Sequence, residues 1–265
     1  MIRQLHVTHL YLVWLSLTTF RIANSFVSPA PRTRGPHLEK MRKTVIYAED
    51  KEDTPKSALE LFESEGWTPI KKDLDTLPIF CVANQEGKPI AYSITVNKER
   101  FQVPFFYCDV EDAKEELKKS KKANPQLSDG MDLIPFPLGV AFEMWSKDQA
   151  VLIPSAASIA QAGAPPGTSP IGQEVPLFAC MDIMQETPDG KGALPLFMVL
   201  DEANAAIEEA VQADHEGATS DEFEVVSLSL NRAVELLATV PETPAFQFIP
   251  PKASLKHIDE YLSDA

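Results

Sequence analysis

The sequence predicts an α/β (α+β) fold in which two pseudo-symmetric repeats of a small sheet with helices form a two-lobed molecule. Two observations lead to this prediction. Residues 128–145 and 220–237 match at a fixed offset of 92 positions, in charge as well as in apolar pattern. In both copies the period of a half-buried strand changes to that of an amphipathic helix, after Phe136 and after Leu228. We therefore expect a duplicated unit.

The duplication extends beyond the two aligned segments, SDGMDLIPFPLGVAFEMW and SDEFEVVSLSLNRAVELL. Short apolar runs pair in the same order: LPIFCV (77–82) with VPLFAC (175–180), VPFFYC (103–108) with LPLFMV (194–199), and AVLIPSAASIAQA (150–162) with FQFIPPKASLKHI (246–258). Helices are expected over 110–122 and 201–213, one in each half. Each half is therefore predicted to contain two or three strands, followed in order by a helix, a strand, a helix, a strand and a helix.

Turn residues place the first hairpin of each half. Glu86-Gly87-Lys88 marks it in the first half and Pro188-Asp189-Gly190 in the second. Alternating apolar residues from Ile90 to Val96 predict an extra strand in the first half. Upstream, Thr54-Pro55 is typical of a helix start, and Gly66 is expected to end that helix.

These patterns divide the chain into six segments. They are a signal peptide (1–25), a transit-peptide-like segment (26–43), an N-terminal amphipathic helix region (44–74), repeat half 1 (75–162), a Pro-rich connector (163–173) and repeat half 2 (174–265).

Charge is segregated along the chain of 265 residues. Residues 1–43 hold seven Lys or Arg and a single acid, whereas the whole chain has 39 Asp or Glu against 24 Lys or Arg. The N-terminal part contains an apolar run too short to span a bilayer, then small residues at Ala23 and Ser25 and an aromatic at Phe26. A signal peptide cleaved between Ser25 and Phe26, followed by a basic transit-peptide-like segment, resembles the bipartite presequence of plastid proteins in algae with secondary, red-derived plastids. Plain secretion or a signal anchor is the alternative.

The composition argues against several function classes. An acidic body disfavours binding to nucleic acid. Three cysteines without a C-x-x-C spacing, Cys81, Cys108 and Cys180, are typical of buried small side chains. Of five histidines only His215 and His257 lie outside the presequence, and both are expected to be exposed. We expect no catalytic residues, no metal site and no cofactor.

The presequence, the free helix and the repeated apolar-Pro-apolar-Phe strands resemble the small intermembrane-space component of the chloroplast inner-envelope translocon, the twenty-two-kilodalton Tic subunit family. The resemblance covers residues 55–263. Its elements are Leu77-Pro78-Ile79-Phe80, residues 84–89, Val103-Pro104-Phe105-Phe106, residues 135–138, residues 172–178 and Phe246-Gln247-Phe248-Ile249-Pro250. The resemblance implies a pseudo-symmetric fold without a cofactor.

The same resemblance implies a non-enzymatic, chaperone-like role that holds precursor proteins between the outer and inner translocons, in the plastid intermembrane space. Its partners would be precursors with their transit peptides and translocon subunits, and peripheral membrane association is allowed. The alternative is another plastid protein, either an envelope or outer-membrane assembly factor or an enzyme with an unrecognised site.

Binding of clients, meaning the polypeptides that such a protein holds, predicts an apolar groove. The candidate lining residues are aromatic: Phe80, Phe105, Phe136, Phe142, Trp145, Phe178, Phe197, Phe246 and Phe248. An acidic rim around it would steer basic transit peptides by charge complementarity.

Overall fold

The structure is a computed structural model that describes residues 61–96, 98–186, 192–213, 219–239 and 246–263. Several predictions lie outside these residues: the signal and transit peptides with the Ser25–Phe26 cleavage site, the helix start at Thr54-Pro55, the second hairpin turn at 188–190, and His215.

Five strands form the first sheet. They are β1 (Pro78–Ala83), β2 (Ala91–Val96), β3 (Glu99–Tyr107), β4 (Asp132–Pro137) and β5 (Val151–Ile153). β1 lies between β3 and β4 and is antiparallel to both. β3 pairs with β2 in an antiparallel hairpin and, nearer its end, with β5 in a parallel ladder. β2 is the extra strand that the alternating apolar pattern predicts.

Five further strands form the second sheet. They are β6 (Pro176–Cys180), β7 (Gln185–Glu186), β8 (Gly192–Phe197), β9 (Val225–Ser229) and β10 (Phe246–Ile249). β6 is antiparallel to β8 and β9, β8 is antiparallel to β7, and β8 is parallel to β10. The connectivity of the two sheets is therefore the same. The pseudo-symmetry of the halves in space stays a prediction.

Seven α-helices lie wholly within the described residues, after the helical residues Leu61 and Phe62. They are α1 (Trp67–Leu74), α2 (Val110–Ala123), α3 (Leu138–Ser146), α4 (Ala156–Gln161), α5 (Leu200–Ala213), α6 (Leu230–Thr239) and α7 (Lys252–Ser263). The mixed α/β class is confirmed, and α2 and α5 lie where the apolar periodicity predicts helices. None of the helices in the described ranges is both long enough and apolar enough to cross a membrane.

Gly66 lies between two helical segments. Leu61 and Phe62 are helical, a turn follows, and α1 begins directly after Gly66, so the predicted helix ends before this glycine. A Cβ at this position would lie 2.9 Å from the carbonyl oxygen of Ala238, at the end of α6. The glycine therefore allows a close backbone approach between the start of α1 and α6, and this non-local role leaves no trace in the local pattern.

One apolar core joins the two halves. It combines side chains of α1, such as Leu74, with those of the first sheet, such as Ile79 and Phe106, and of the second, such as Leu177 and Leu196. All five side chains are completely buried. The two sheets therefore fold around a shared interior, with α1, α3 and α6 contributing to it.

The opposite faces of the two sheets have cores of their own. On the first sheet, Phe80 and Phe105 pack with Val110 and Ala113 of α2 and with Ile258 of α7. On the second sheet, side chains of β6 and β8 pack against α5 in two smaller clusters. The sequence order places α7 in the second half, yet it covers the sheet of the first half.

The last helices of the two halves are anchored in the same way. The Lys252 N–H, at the start of α7, donates a 2.8 Å hydrogen bond to Glu202 in the first turn of α5. The Ala156 N–H, at the start of α4, hydrogen-bonds Asp112 in the first turn of α2. Ser158 of α4 then donates to the Met198 carbonyl of the other half at 3.1 Å. Each helix thus starts on its own half and reaches the other.

Candidate functional site

The nine aromatic side chains predicted to line a groove do not form one. Seven of them are buried: Phe80, Phe105, Phe142, Phe178, Phe197, Phe246 and Phe248. They are divided among the shared core and the outer clusters of the two sheets, so the sheets themselves separate them. Helices cover both faces of each sheet, and aromatic side chains supply the largest apolar area to such interiors.

The remaining two aromatics, Phe136 and Trp145, are half-buried at the margin of the shared core. The Phe136 ring stacks on Phe106 with 4.6 Å between ring centroids. The Trp145 ring lies 5.7 Å from that of Phe142. Each side chain therefore has one side on the core and part of its surface in solvent, as a contact surface for another polypeptide requires.

Equivalent positions of the second half have the same character. Val226 and Leu228 of β9 and Leu237 of α6 are half-buried and pack against the shared core. In the 92-residue offset they align with Ile134, Phe136 and Trp145. We call these six side chains the apolar rim: Ile134, Phe136, Trp145, Val226, Leu228 and Leu237.

The signal for the apolar rim was present in the sequence. The aligned apolar pairs identified these positions, but ranking by aromatic type favoured side chains that are fully enclosed. Only exposure separates the two groups, and exposure depends on how α3 and α6 pack on their sheets.

Negative charge accompanies the apolar rim. In the second half, Glu222 and Glu224 are exposed just before β9. The guanidinium of Arg232 is engaged by Glu235 at 3.1 Å on α6. In the first half, the Lys147 ammonium is engaged by Glu143 at 2.8 Å. The cations on α6 and beside α3 are thus each paired with a carboxylate of the same helix or its end.

A small crevice lies at the junction of the two halves. Its walls combine residues of both: Cys108, Asp109, Pro154, Ser155, Ser158, Val175, Pro176, Met198 and Val199. Its polar side chains are engaged within the fold. Asp109 accepts from the N–H groups of Glu111 and Asp112 as the N-cap of α2, and Ser155 caps α4. The polar side chains of the crevice therefore cap helices, and they do not converge on a common point as they would in a ligand site.

The three cysteines are buried, as predicted. Burial raises the pKa of the Cys81 and Cys108 thiols to about 12 and that of Cys180 to about 11. Because the thiolate is the reactive form, these side chains behave as small apolar groups. Burial also raises the pKa of the Asp112 and Glu202 carboxyls, which anchor α4 and α7.

His257 is not exposed, contrary to the prediction. On α7 its ring packs edge-on against Phe80, with 5.4 Å between centroids. Its Nε2 atom is shielded from solvent and has no hydrogen-bond partner. Burial, reinforced by the nearby Lys114 cation, lowers the pKa of His257. The contact with Phe80 packs α7 on the first sheet. Within the described residues, no group of three or more His, Cys, Asp or Glu side chains could hold a metal ion.

Comparison with solved structures identifies the architecture. Tic22 from Plasmodium falciparum matches 74% of this chain and 98% of its own, with a TM-score of 0.59 and 22% sequence identity. The chain has the Tic22 fold. Anabaena Tic22, a structure described as protein transport, matches 73% of this chain and 96% of its own, with a TM-score of 0.54 and 16% identity.

No protein-family model and no curated protein matches the sequence. The Tic22 fold is therefore recognised through architecture, at identities where sequence comparison alone carries little signal. The resemblance inferred from the repeated strands agrees with this architecture.

Proposed function

We propose that this chain acts in plastid protein import, where it holds unfolded precursor polypeptides between the outer and inner envelope translocons and catalyses no reaction. The observation that carries the proposal is a Tic22 fold with a half-buried apolar rim on an acidic surface. The similarity to Anabaena Tic22, a protein of protein transport, supports the transport class.

The apolar rim supplies the binding energy in this proposal. Each rim side chain keeps part of its apolar surface in water, and covering that surface is favourable at about 25 cal/mol per Å². Residues of an unfolded precursor are the natural cover, because a folded protein has already buried its own apolar side chains.

The acidic body supplies selectivity. The chain has a formal net charge of −15 although its first 43 residues are basic. Transit peptides are rich in Arg and poor in acids. Long-range attraction then accelerates the encounter and weakens as salt shortens the range of the field.

Peptide binding tests the proposal directly. The probe is a fluorescein-labelled, acid-free peptide of about 20 residues rich in Arg, Ser, Ala and Leu, a composition typical of transit peptides. We expect binding by the full chain that weakens at least about tenfold when NaCl rises from about 0.05 M to about 0.5 M. The double variant Trp145→Gln/Leu237→Gln should bind about tenfold more weakly, because it removes one rim side chain from each half.

The matched control is Leu127→Gln, an apolar-to-amide change at a residue 64% exposed and outside the apolar rim. It should bind as the wild type does. Equal binding by the rim variant and the control would refute the role of the apolar rim. Proximity labelling in intact plastids tests the location: recovery of translocon subunits supports it, and recovery of stromal enzymes alone contradicts it.

A further inference from the structure

We propose that the free edge of β9 binds clients by strand addition: an extended segment of a basic precursor forms a backbone ladder with Val225–Ser229. The inference rests on the proposed function and specifies how the client is held. The equivalent edge in the first half, that of β4, is closed to such pairing by two prolines. The two halves thus share a topology but differ in this capacity.

The register of β9 on β6 determines which backbone groups face outward. The Leu230 N–H donates to the Val175 carbonyl at 2.8 Å, directly before the registered pair Pro176↔Ser229. Opposite residues in an antiparallel ladder alternate between bonded and non-bonded pairs. Val226 and Leu228 therefore bond to β6, whereas Val225, Ser227 and Ser229 point their N–H and C=O groups away from it.

Those outward groups meet no strand in the part of the chain that the structure describes, where β9 pairs with β6 alone. Ser227, at the centre of the edge, is exposed. The hydroxyl of Ser229 accepts from the Arg232 N–H at 3.3 Å and so fixes the end of the strand where α6 begins. The edge is a row of donors and acceptors, which is the template that an extended peptide requires.

The edge of β4 lacks these donors. The Leu138 N–H donates to the Leu77 carbonyl at 3.1 Å, so by the same alternation Leu133, Pro135 and Pro137 face outward. The two prolines have no N–H. The Leu133 N–H already donates to the Asp132 carboxylate at 2.8 Å. Proline on an edge strand is a common way to prevent pairing, and here it stands where β9 has Ser227 and Ser229.

The first sheet has another edge, β2, but its surroundings do not suit a basic client. Pro104, which lacks an N–H, lies opposite Ala91, so Ser93 and Thr95 face outward by alternation. The tip of this hairpin carries the cations Lys98 and Arg100 with one acid, Glu99, between them, so its net charge is positive. In contrast, Glu222 and Glu224 precede β9.

Apolar contacts favour β9 as well. Tyr92 and Ile94 of β2 are directed to the cluster beneath α2, which leaves the exposed Ser93 and Thr95 on the other face. Val226 and Leu228 of β9 are half-buried members of the apolar rim. A strand added to β9 would extend the sheet beside them and cover their remaining surface. The acidic residues before β9 favour a basic occupant. The outward backbone groups of β9 favour an extended chain, and the half-buried Val226 and Leu228 favour an unfolded polypeptide with apolar side chains to offer.

Proline substitution at the outward position tests strand addition in the full chain. Ser227→Pro removes one outward N–H and places a ring in the path of an added strand, at a position where the first half already has Pro135. We expect affinity for the same fluorescein-labelled peptide to fall about tenfold or more. The matched control is Ser93→Pro, the same change on the edge of β2, which should bind within about twofold of the wild type.

The converse variant Pro135→Ser/Pro137→Ser restores N–H groups to the edge of β4. It should raise the number of peptides bound per chain. A probe N-methylated at every second residue should bind weakly when the methyl groups replace the pairing N–H groups, and normally when they are shifted by one residue. Circular dichroism and thermal unfolding of each variant confirm that the fold is retained.

The outcomes separate the two proposals. A wild-type chain that binds no peptide refutes the proposed function. A wild-type chain that binds peptide while Ser227→Pro binds equally well refutes strand addition and leaves the function standing, as does equal weakening by Ser93→Pro. A chain whose Ser227→Pro variant loses self-association at unchanged peptide affinity shows that a second copy covers the edge, and this too overturns the proposal.

Discussion

His257 shows how one side chain reports on a contact between the two halves. Its imidazole belongs to α7 of the second half but packs on Phe80 of the first sheet. The groups around it include Lys114 of α2, whose cation opposes protonation, and Glu260, Glu111 and Asp132, whose carboxylates favour it. Burial is the largest influence and lowers the pKa of His257.

This shift predicts a loss of stability in mild acid. An unfolded chain binds the proton at an ordinary histidine pKa of about 6.5, above that of the folded chain. The stability contribution of neutral His257 is therefore complete above pH about 6.5 and falls as pH is lowered through that value. The variant His257→Phe should show a smaller decrease in melting temperature between pH about 7.5 and about 5.5 than the wild type.

Thermal unfolding followed by circular dichroism at the two pH values measures the effect. Histidines and buried carboxyls elsewhere in the chain are common to both proteins and cancel in the comparison. Leu127→Ala, at a residue 64% exposed and outside the cluster that contains Phe80, should keep the pH dependence of the wild type. An unchanged dependence in His257→Phe would show that the histidine does not couple protonation to folding.

The cysteines give a second prediction at this scale. Because Cys81, Cys108 and Cys180 are buried with raised pKa values, iodoacetamide at pH about 8 should label none of them in the folded protein over minutes. All three should react after unfolding in about 6 M guanidinium chloride. Mass spectrometry of both samples decides the matter, and rapid labelling of the native protein would contradict the buried assignment.

Single residues were predicted unevenly from the sequence. Cysteine burial followed from residue type and spacing, and it is confirmed. The prediction that His257 is exposed was wrong. Its ring packs on Phe80, which is 177 positions earlier in the chain, so no local pattern could indicate the contact. Aromatic type alone could not distinguish the enclosed Phe142 from the half-buried Trp145 on the same helix.

At the scale of elements, α1 and α3 meet at an unusually close contact. The Asp75 carboxylate accepts from the Val140 N–H at 3.1 Å and from the Lys71 ammonium at 2.7 Å. It thus satisfies a free N–H near the start of α3 and joins it to the end of α1. A Cβ on Gly139 would lie 2.5 Å from that carboxylate and 2.7 Å from the Lys71 carbonyl.

Gly139→Ala should therefore destabilise the protein by about 2 kcal/mol, since backbone atoms of α1 would have to move. The sign is informative, because glycine-to-alanine changes inside helices ordinarily stabilise by about 1 kcal/mol. Gly130→Ala is the control, as its Cβ would meet nothing closer than 3.4 Å. Urea unfolding gives both values, and a stabilised Gly139→Ala variant would refute the close contact.

Strands and long helices were predictable because their apolar periods are local. α1 was not predicted as a separate helix, because the helix inside the 44–74 region was expected to end at Gly66. The covering of the first sheet by α7 was likewise not predictable, because nothing in residues 252–263 specifies which of two similar sheets their apolar side chains will meet. The sequence shows the prolines of β4. Whether their backbone positions face away from β1 can be known only from the register between the two strands.

At the scale of the whole molecule, the shared core predicts cooperative unfolding. Leu177 of the second sheet is fully buried in the same cluster as Ile79 and Leu74. Leu177→Ala should cost about 2–5 kcal/mol and lower the melting temperature of a single transition. Differential scanning calorimetry distinguishes this from two peaks, of which only one would shift if the halves unfolded independently. Leu127→Ala, at an exposed site, should leave the transition in place.

The anchoring of α4 and α7 across the halves has a further consequence for the segment that links them. Residues 163–173 contain no helix or strand and are largely exposed, so a protease could sever the backbone there. The two fragments should nevertheless stay associated, because α4 and α7 each contact the opposite half and because both halves contribute to the shared core. Such a nicked molecule should migrate intact on a sizing column and separate only in denaturant, which makes this stretch a suitable point for reconstituting the protein from two separately expressed pieces.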